Sequence, residues 1–115
     1  MDNWKGLSRK INVVDVGRIV THSGGVLRVL KDVNIHASEG EIVTLIGPSG
    51  CGKSSLLNII AGLDDPDEGF VSVCVQGNNL VEARTRLGEV GYMQQKDLLL
   101  PWRSVKENVL LGLEI

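Results

Sequence analysis

Nine consecutive residues offer the most readable chemistry: Gly47-Pro48-Ser49-Gly50-Cys51-Gly52-Lys53-Ser54-Ser55. Gly47, Gly52, Lys53 and Ser54 satisfy the phosphate-loop spacing G-x-x-x-x-G-K-[ST]. Each residue type has a physical task. Glycines let the backbone bend around a phosphate with its N–H groups turned inward, because no Cβ obstructs it. A helix that opens at the loop adds unbonded N–H groups and the positive end of its dipole. Lys53 can reach the outer phosphates as a point charge, and the Ser54 hydroxyl can ligate Mg²⁺. With Gly at 14 of 115 residues, the bare spacing arises by chance in roughly 1% of such chains. The flanking elements therefore decide whether it is a site.

Both flanks have the required character. Ile42–Ile46 is almost continuously apolar, as expected of a strand covered on both faces of a parallel sheet. Lys53–Ala61 predicts a helix, apolar on most sides through Leu56, Leu57, Ile59 and Ile60 and so buried against the sheet, with Gly62 as C-cap. Upstream, Ile11–Val16 predicts a strand that stops at Gly17, and Thr21–Gly25 a turn. Val26–Ile35 predicts a second strand paired with the first, and Glu39-Gly40 the turn into Ile42. Downstream, Leu63–Gly69 reads as a turn and Phe70–Val75 as a strand ending at Gln76-Gly77-Asn78. Val81–Leu87 is ambiguous, with Glu82 and Arg86 at helical spacing. Val90–Met93 predicts a short strand, Gln94–Arg103 a Leu-rich loop, and Ser104–Glu107 a capping box opening a helix to about Leu113. Asp64 and Asp65 resemble acidic Mg²⁺ ligands at a strand end, but they follow Lys53 too closely and belong to the helix C-terminus.

Composition excludes several classes. The chain has room for at most one small domain. A net charge of −2 gives no basic surface for nucleic acid, and four aromatic residues (Trp4, Phe70, Tyr92, Trp102) make no stacking platform. Cys51 and Cys74 read as free thiols rather than a disulfide framework. Cys51 reads as a small residue tolerated in the loop, with a redox sensor as the alternative. Residues 1–10 read as a leader without the apolar core of a signal peptide, since Asn12 and Asp15 interrupt the apolar run beginning at Ile11. No apolar run reaches membrane-span length. The expectation is a cytoplasmic chain that meets a membrane only through a partner.

A second stretch, Val90-Gly-Tyr-Met-Gln-Gln-Lys-Asp-Leu-Leu-Leu-Pro-Trp-Arg-Ser-Val-Lys-Glu-Asn-Val109, resembles the glutamine-loop region of ABC transporter ATPase subunits. Leu99-Leu-Pro-Trp102 looks like importers of the nitrate, sulfonate and taurine type. Leu30-Lys-Asp-Val33, Gly40-Glu41, Ser49–Ser54 and Ala61-Gly-Leu63 resemble the same family, so the likeness covers about residues 10–115. It implies an α/β phosphate-loop NTPase core with an N-terminal antiparallel β subdomain, here the N-terminal portion of an ABC ATPase domain. Residues 11–115 would form a partial nucleotide-binding domain that ends after the glutamine loop.

The resemblance also implies roles. Gly47 to Ser55 would bind the ATP phosphates, Lys53 the β- and γ-phosphates, and Ser54 the Mg²⁺. Gln95 is the chosen glutamine to sense Mg²⁺ and the γ-phosphate. Gln94 is the alternative, at a position where the family usually has an apolar or aromatic residue. Leu98–Trp102 would lie near the transmembrane permease partner, with packing in this chain's own core as the other reading of Trp102. Val20 stands where the family usually stacks an aromatic ring on adenine, with His22 nearby. The signature motif, the Asp-Glu strand end and the switch histidine have no match up to Ile115, since His22 and His36 precede the loop. No carboxylate has an evident claim as general base; Asp97 is nearest in sequence to Gln95. A neighbouring strand is also lacking, so Ile42–Ile46 is expected to have no pairing partner and to favour aggregation.

The leading expectation is the ATP-binding part of an importer ATPase that binds ATP with Mg²⁺ but does not hydrolyse it efficiently. The full-length form would pair with a second ATPase subunit and sit on the inner membrane face through permease subunits. The alternative is a stand-alone nucleotide-binding or interaction module. A GTPase or small-molecule kinase is disfavoured, because neither Asp-x-x-Gly nor Asn-Lys-x-Asp occurs and Leu-Pro-Trp has no role there.

Overall fold

The computed structural model describes residues 9–75, 79–82 and 90–114. Four strands form one antiparallel sheet: β1 (Arg9–His22), β2 (Gly25–Ser38), β3 (Glu68–Val75) and β4 (Asn79–Glu82), in the order β2-β1-β3-β4. Three helices complete the described elements: α1 (Lys53–Ala61), α2 (Val105–Val109) and α3 (Leu111–Glu114).

β1 and β2 make a long hairpin that turns at Ser23-Gly24. The expected stop at Gly17 does not occur, because Gly17 accepts a backbone bond from Asp67 at 2.9 Å and stays paired with Glu68. Regular alternation would send Val13 and Val16, three positions apart, to opposite faces. Both are buried in the same core. A register shift between them, with Asp15 at φ 50, inserts the extra residue that returns Val16 to the core side. Asp32, at φ 48, does the same between Leu30 and Val33 on the facing strand. Asn34 ties the two strands together at this point. Its Oδ1 accepts from the Asp15 N–H and its Nδ2 donates to Asp15 Oδ1, both at 3.1 Å.

α1 covers one face of the sheet. Leu56, Ile59 and Ile60 pack on Val13, Val16, Leu30 and Val71, which is the main buried cluster. The helix spans the expected residues, and Gly62 caps it in the left-handed region at φ 85. Leu57 is the exception to its burial and stays exposed.

The turn after α1 is clamped onto β1. Asp67 Oδ2 accepts from the Ile19 N–H at 2.6 Å, and Arg18 pairs with Asp64 at 3.0 Å and Asp67 at 3.4 Å. Arg28 on β2 pairs with Glu68 at 3.1 Å, and that bond raises the guanidinium pKa above its ordinary value. Asp64 is thus an ion-pair partner of β1 in the fold.

Two expected strands are not strands. Residues 41–48 have no ladder partner among the described residues, and Ile42 and Ile46 are 93% and 92% exposed. An isolated extended segment cannot satisfy its backbone or bury both faces, whatever its composition. The two-sided cover expected of this segment is absent. Residues 91–94 are likewise irregular. The Gln76–Asn78 turn and the Glu82/Arg86 helical pair fall partly or wholly outside the described residues.

Candidate functional site

The loop Gly47–Ser55 runs from the unpaired segment into the first turn of α1. Gly52 is the N-cap at φ 102, and Gly50 lies at φ 80. A Cβ on Gly52 would sit 2.9 Å from Leu30 Cδ2 and 3.0 Å from the Val29 carbonyl oxygen. Glycine is therefore required there twice, by the dihedral angle and by the close approach to β2. No side chain caps the helix, and its first internal bond is from Leu56 N–H to the Gly52 carbonyl at 2.9 Å. The N–H groups of Lys53, Ser54 and Ser55 thus have no intrahelical acceptor, at the positive end of the helix dipole.

Lys53 folds back over the loop. Its Nζ donates to the Gly47 carbonyl and, at 2.9 Å, to the Pro48 carbonyl; Cys51 Sγ lies at 3.5 Å. Among the described residues the ammonium meets carbonyl oxygens and has no carboxylate partner. Cys51 is an exposed free thiol.

An open cleft of about 380 Å³ lies over this turn. Ser49, Gly50, Gly52, Lys53, Ser54 and Ser55 form its floor, and Val29 and Gln95 its walls. The structure brings Gln95 to the loop across forty residues of sequence. Gln94 instead lines a separate cleft with Tyr92, Met93, Lys96 and Asp97. No carboxylate lines the loop cleft among the described residues, and Asp97 is not at it. Val20 and His22 do not line it either. Val20 is exposed opposite Leu27, and His22 Nδ1 accepts the Gly24 N–H at 3.1 Å within the hairpin turn.

Two polar side chains missed by the sequence reading fix the segment that carries Gln95. Tyr92 Oη donates to Asn58 Oδ1 of α1 at 2.6 Å. At the other end, Asn108 Oδ1 accepts from the Leu100 N–H at 2.9 Å, and its Nδ2 donates to the Leu100, Arg103 and Ser104 carbonyls at 3.3, 3.3 and 2.9 Å. The expected capping box is present, with Glu107 N–H to Ser104 Oγ at 3.2 Å and Ser104 N–H to Glu107 Oε2 at 2.9 Å. The only sequence signal for Asn58 is a polar residue inside an apolar helix. Trp102 is 75% exposed, so the reading of it as a core residue fails.

A glycine-rich loop closing on the N-terminus of a core helix, beside an antiparallel sheet, places the chain among the phosphate-loop NTPase folds. More narrowly, it belongs to the ABC transporter family, whose pattern matches residues 30–114. The uncharacterized ABC transporter ATP-binding protein YtlC of Bacillus subtilis is 46% identical over 86 residues, covering 75% of this chain and 31% of the relative. The aliphatic sulfonates import ATP-binding protein SsuB of Bacillus cereus is 35% identical over 105 residues, covering 91% and 40%. The ATP-binding cassette MJ0796, solved as a dimer in a post-hydrolysis state bound to ADP and Pi, superposes with a TM-score of 0.76 at 32% identity. That match covers 90% of this chain and 47% of the solved one. The chain therefore spans less than half the length of these relatives. No helix among the described residues is long and apolar enough to cross a membrane.

Proposed function

We propose that this chain binds ATP with Mg²⁺ through Gly47–Ser55 and does not turn it over efficiently. The observation that carries the reading is the shared cleft, which the loop, the uncapped N-terminus of α1 and Gln95 all line. The donor set suits the ligand. Backbone N–H groups and the Lys53 ammonium complement phosphate oxygens. The Ser54 hydroxyl and the Gln95 carboxamide oxygen are hard oxygen donors of the kind Mg²⁺ accepts beside phosphates and waters. Mg²⁺, when bound, neutralises charge on the phosphate oxygens. Lys53 leaves the Gly47 and Pro48 carbonyls for the stronger, charge-assisted bond to phosphate. Efficient hydrolysis needs a group that activates water, and no carboxylate lines this cleft among the described residues.

In a longer form, we place the chain as the ATP-binding subunit of an importer, coupling ATP use to solute uptake, as the name of SsuB describes for that protein. It would pair with a second cassette, as MJ0796 does, and dock on permease subunits at the inner membrane face through Leu98–Trp102. The cleft without a carboxylate also supports a second reading, a nucleotide-binding module without chemistry. Calorimetric titration with ATP, with and without Mg²⁺, tests the core of the proposal. Lys53→Ala should weaken binding about 10- to 100-fold, the worth of a charge-assisted bond. Unchanged affinity in that variant would refute the phosphate site. Phosphate release that Lys53→Ala abolishes would overturn the prediction of no efficient turnover.

A further inference from the structure

We propose that Tyr92 is a positioning residue for Gln95, latched to the phosphate-loop helix through Asn58; this rests on the reading of Gln95 given above. The phenol donates to Asn58 Oδ1 at 2.6 Å across 34 positions of sequence. Both residues are half-buried, whereas every residue from Met93 to Leu99 is exposed. No described hydrogen bond holds the Gln95 side chain itself. Its place on the cleft wall therefore depends on the two ends of its segment. Asn108 fixes the far end at Leu100, and Tyr92 fixes the near end.

Distance makes the near end decisive. Three residues span at most about 10 Å, so a fixed Tyr92 confines Gln95 to that radius. Asn58 lies five residues into α1 from Lys53, about 7.5 Å along the helix axis. The latch thus ties the Gln95 backbone to the same rigid helix that presents Lys53 and Ser54. With the bond cut, Gln95 samples a wider volume and meets the metal and γ-phosphate less often. Mg-ADP keeps the metal but lacks the γ-phosphate, so its binding should depend far less on where Gln95 sits.

The readout is the ratio of Mg-ATP to Mg-ADP affinity, measured by calorimetry on the whole chain. Gln95→Ala should lower this ratio. Tyr92→Phe should lower it roughly three- to tenfold, the scale of one lost hydrogen bond, with Mg-ADP affinity unchanged within about twofold. Asn58→Ala removes the same bond from the other side and should match it, which guards against a variant that fails to fold. In a Gln95→Ala background, Tyr92→Phe should change the ratio no further. Equal weakening of both nucleotides, an unchanged ratio, or an additive double variant would each overturn the latch and leave the Gln95 reading standing. If Gln95→Ala itself leaves the ratio unchanged, or the chain binds no nucleotide, the reading of Gln95 falls and the latch falls with it.

Discussion

At the scale of single residues, glycine chemistry separates two costs that are usually mixed. Gly40 and Gly69 share the same backbone angle, φ 75. Around Gly40 a Cβ would meet nothing within 4 Å, whereas at Gly69 it would collide with the Val14 and Asp15 carbonyl oxygens of β1. Alanine at Gly40 should cost only the left-handed penalty of about 1 kcal/mol. Alanine at Gly69 adds displacement of a paired strand at the Asp15 bulge and should cost at least about 2–4 kcal/mol. Urea unfolding of the two variants checks the difference, and equal losses would show that the close approach to β1 is not what selects glycine at 69. Gly52 combines the same two demands inside the phosphate loop. There the close packing against Leu30 and Val29 holds the loop to the sheet.

At the scale of elements, the segment after Gln95 is held by side-chain bonds rather than by burial. Neither α2 nor α3 has a buried residue, yet the loop from Leu100 to Ser104 is closed by four bonds to Asn108. Asn108→Ala should therefore release this loop without unfolding the molecule. Hydrogen exchange at the Leu100 amide should speed up by about 10-fold or more, as one to two bonds' worth of protection is lost. The melting temperature should barely move, since the core of β1, β3 and α1 is untouched. A large drop in melting temperature would instead make α2 part of the folding core. Elements like these were legible in proportion to how local their causes are. α1 and the capping box rest on residues within a few positions, and both are where the sequence places them. The bulges at Asp15 and Asp32 arise from cross-strand pairing and left no sequence signal. Ile42–Ile46 and Val90–Met93 have strand composition, but a strand exists only with a neighbour to bond. The site divides in the same way. The phosphate loop is contiguous and readable, and the choice of Gln95 came from resemblance. The Val29 wall and the Tyr92–Asn58 bond depend on long-range packing that one sequence does not display.

At the scale of the whole molecule, little surface is hidden for the number of apolar residues present. The radius of gyration is 16.4 Å, against about 13 Å for a compact chain of this length. One modest cluster between the sheet and α1 makes up the main core. Outside it, Ile42, Ile46, Met93, Trp102, Val105, Val109 and Leu113 stand exposed. Among them residues 42–46 have a distinct character, because apolar side chains coincide there with a backbone that has no ladder partner among the described residues. Such an edge recruits another strand, and in a solution of this chain alone the available strand is a second copy. Light scattering on the 115-residue chain should show self-association that grows with concentration. A single charge on the edge opposes it at little cost to the fold, since Ile42 is almost fully exposed and lies outside the core. Ile42→Lys should lower the association by several-fold while the melting temperature stays within about 2 °C, as for a surface change of at most about 0.5 kcal/mol. If Ile42→Lys associates as strongly as the parent, the exposed patch around Trp102, Val105 and Val109 becomes the surface responsible, and Val109→Lys is the variant that should then relieve it.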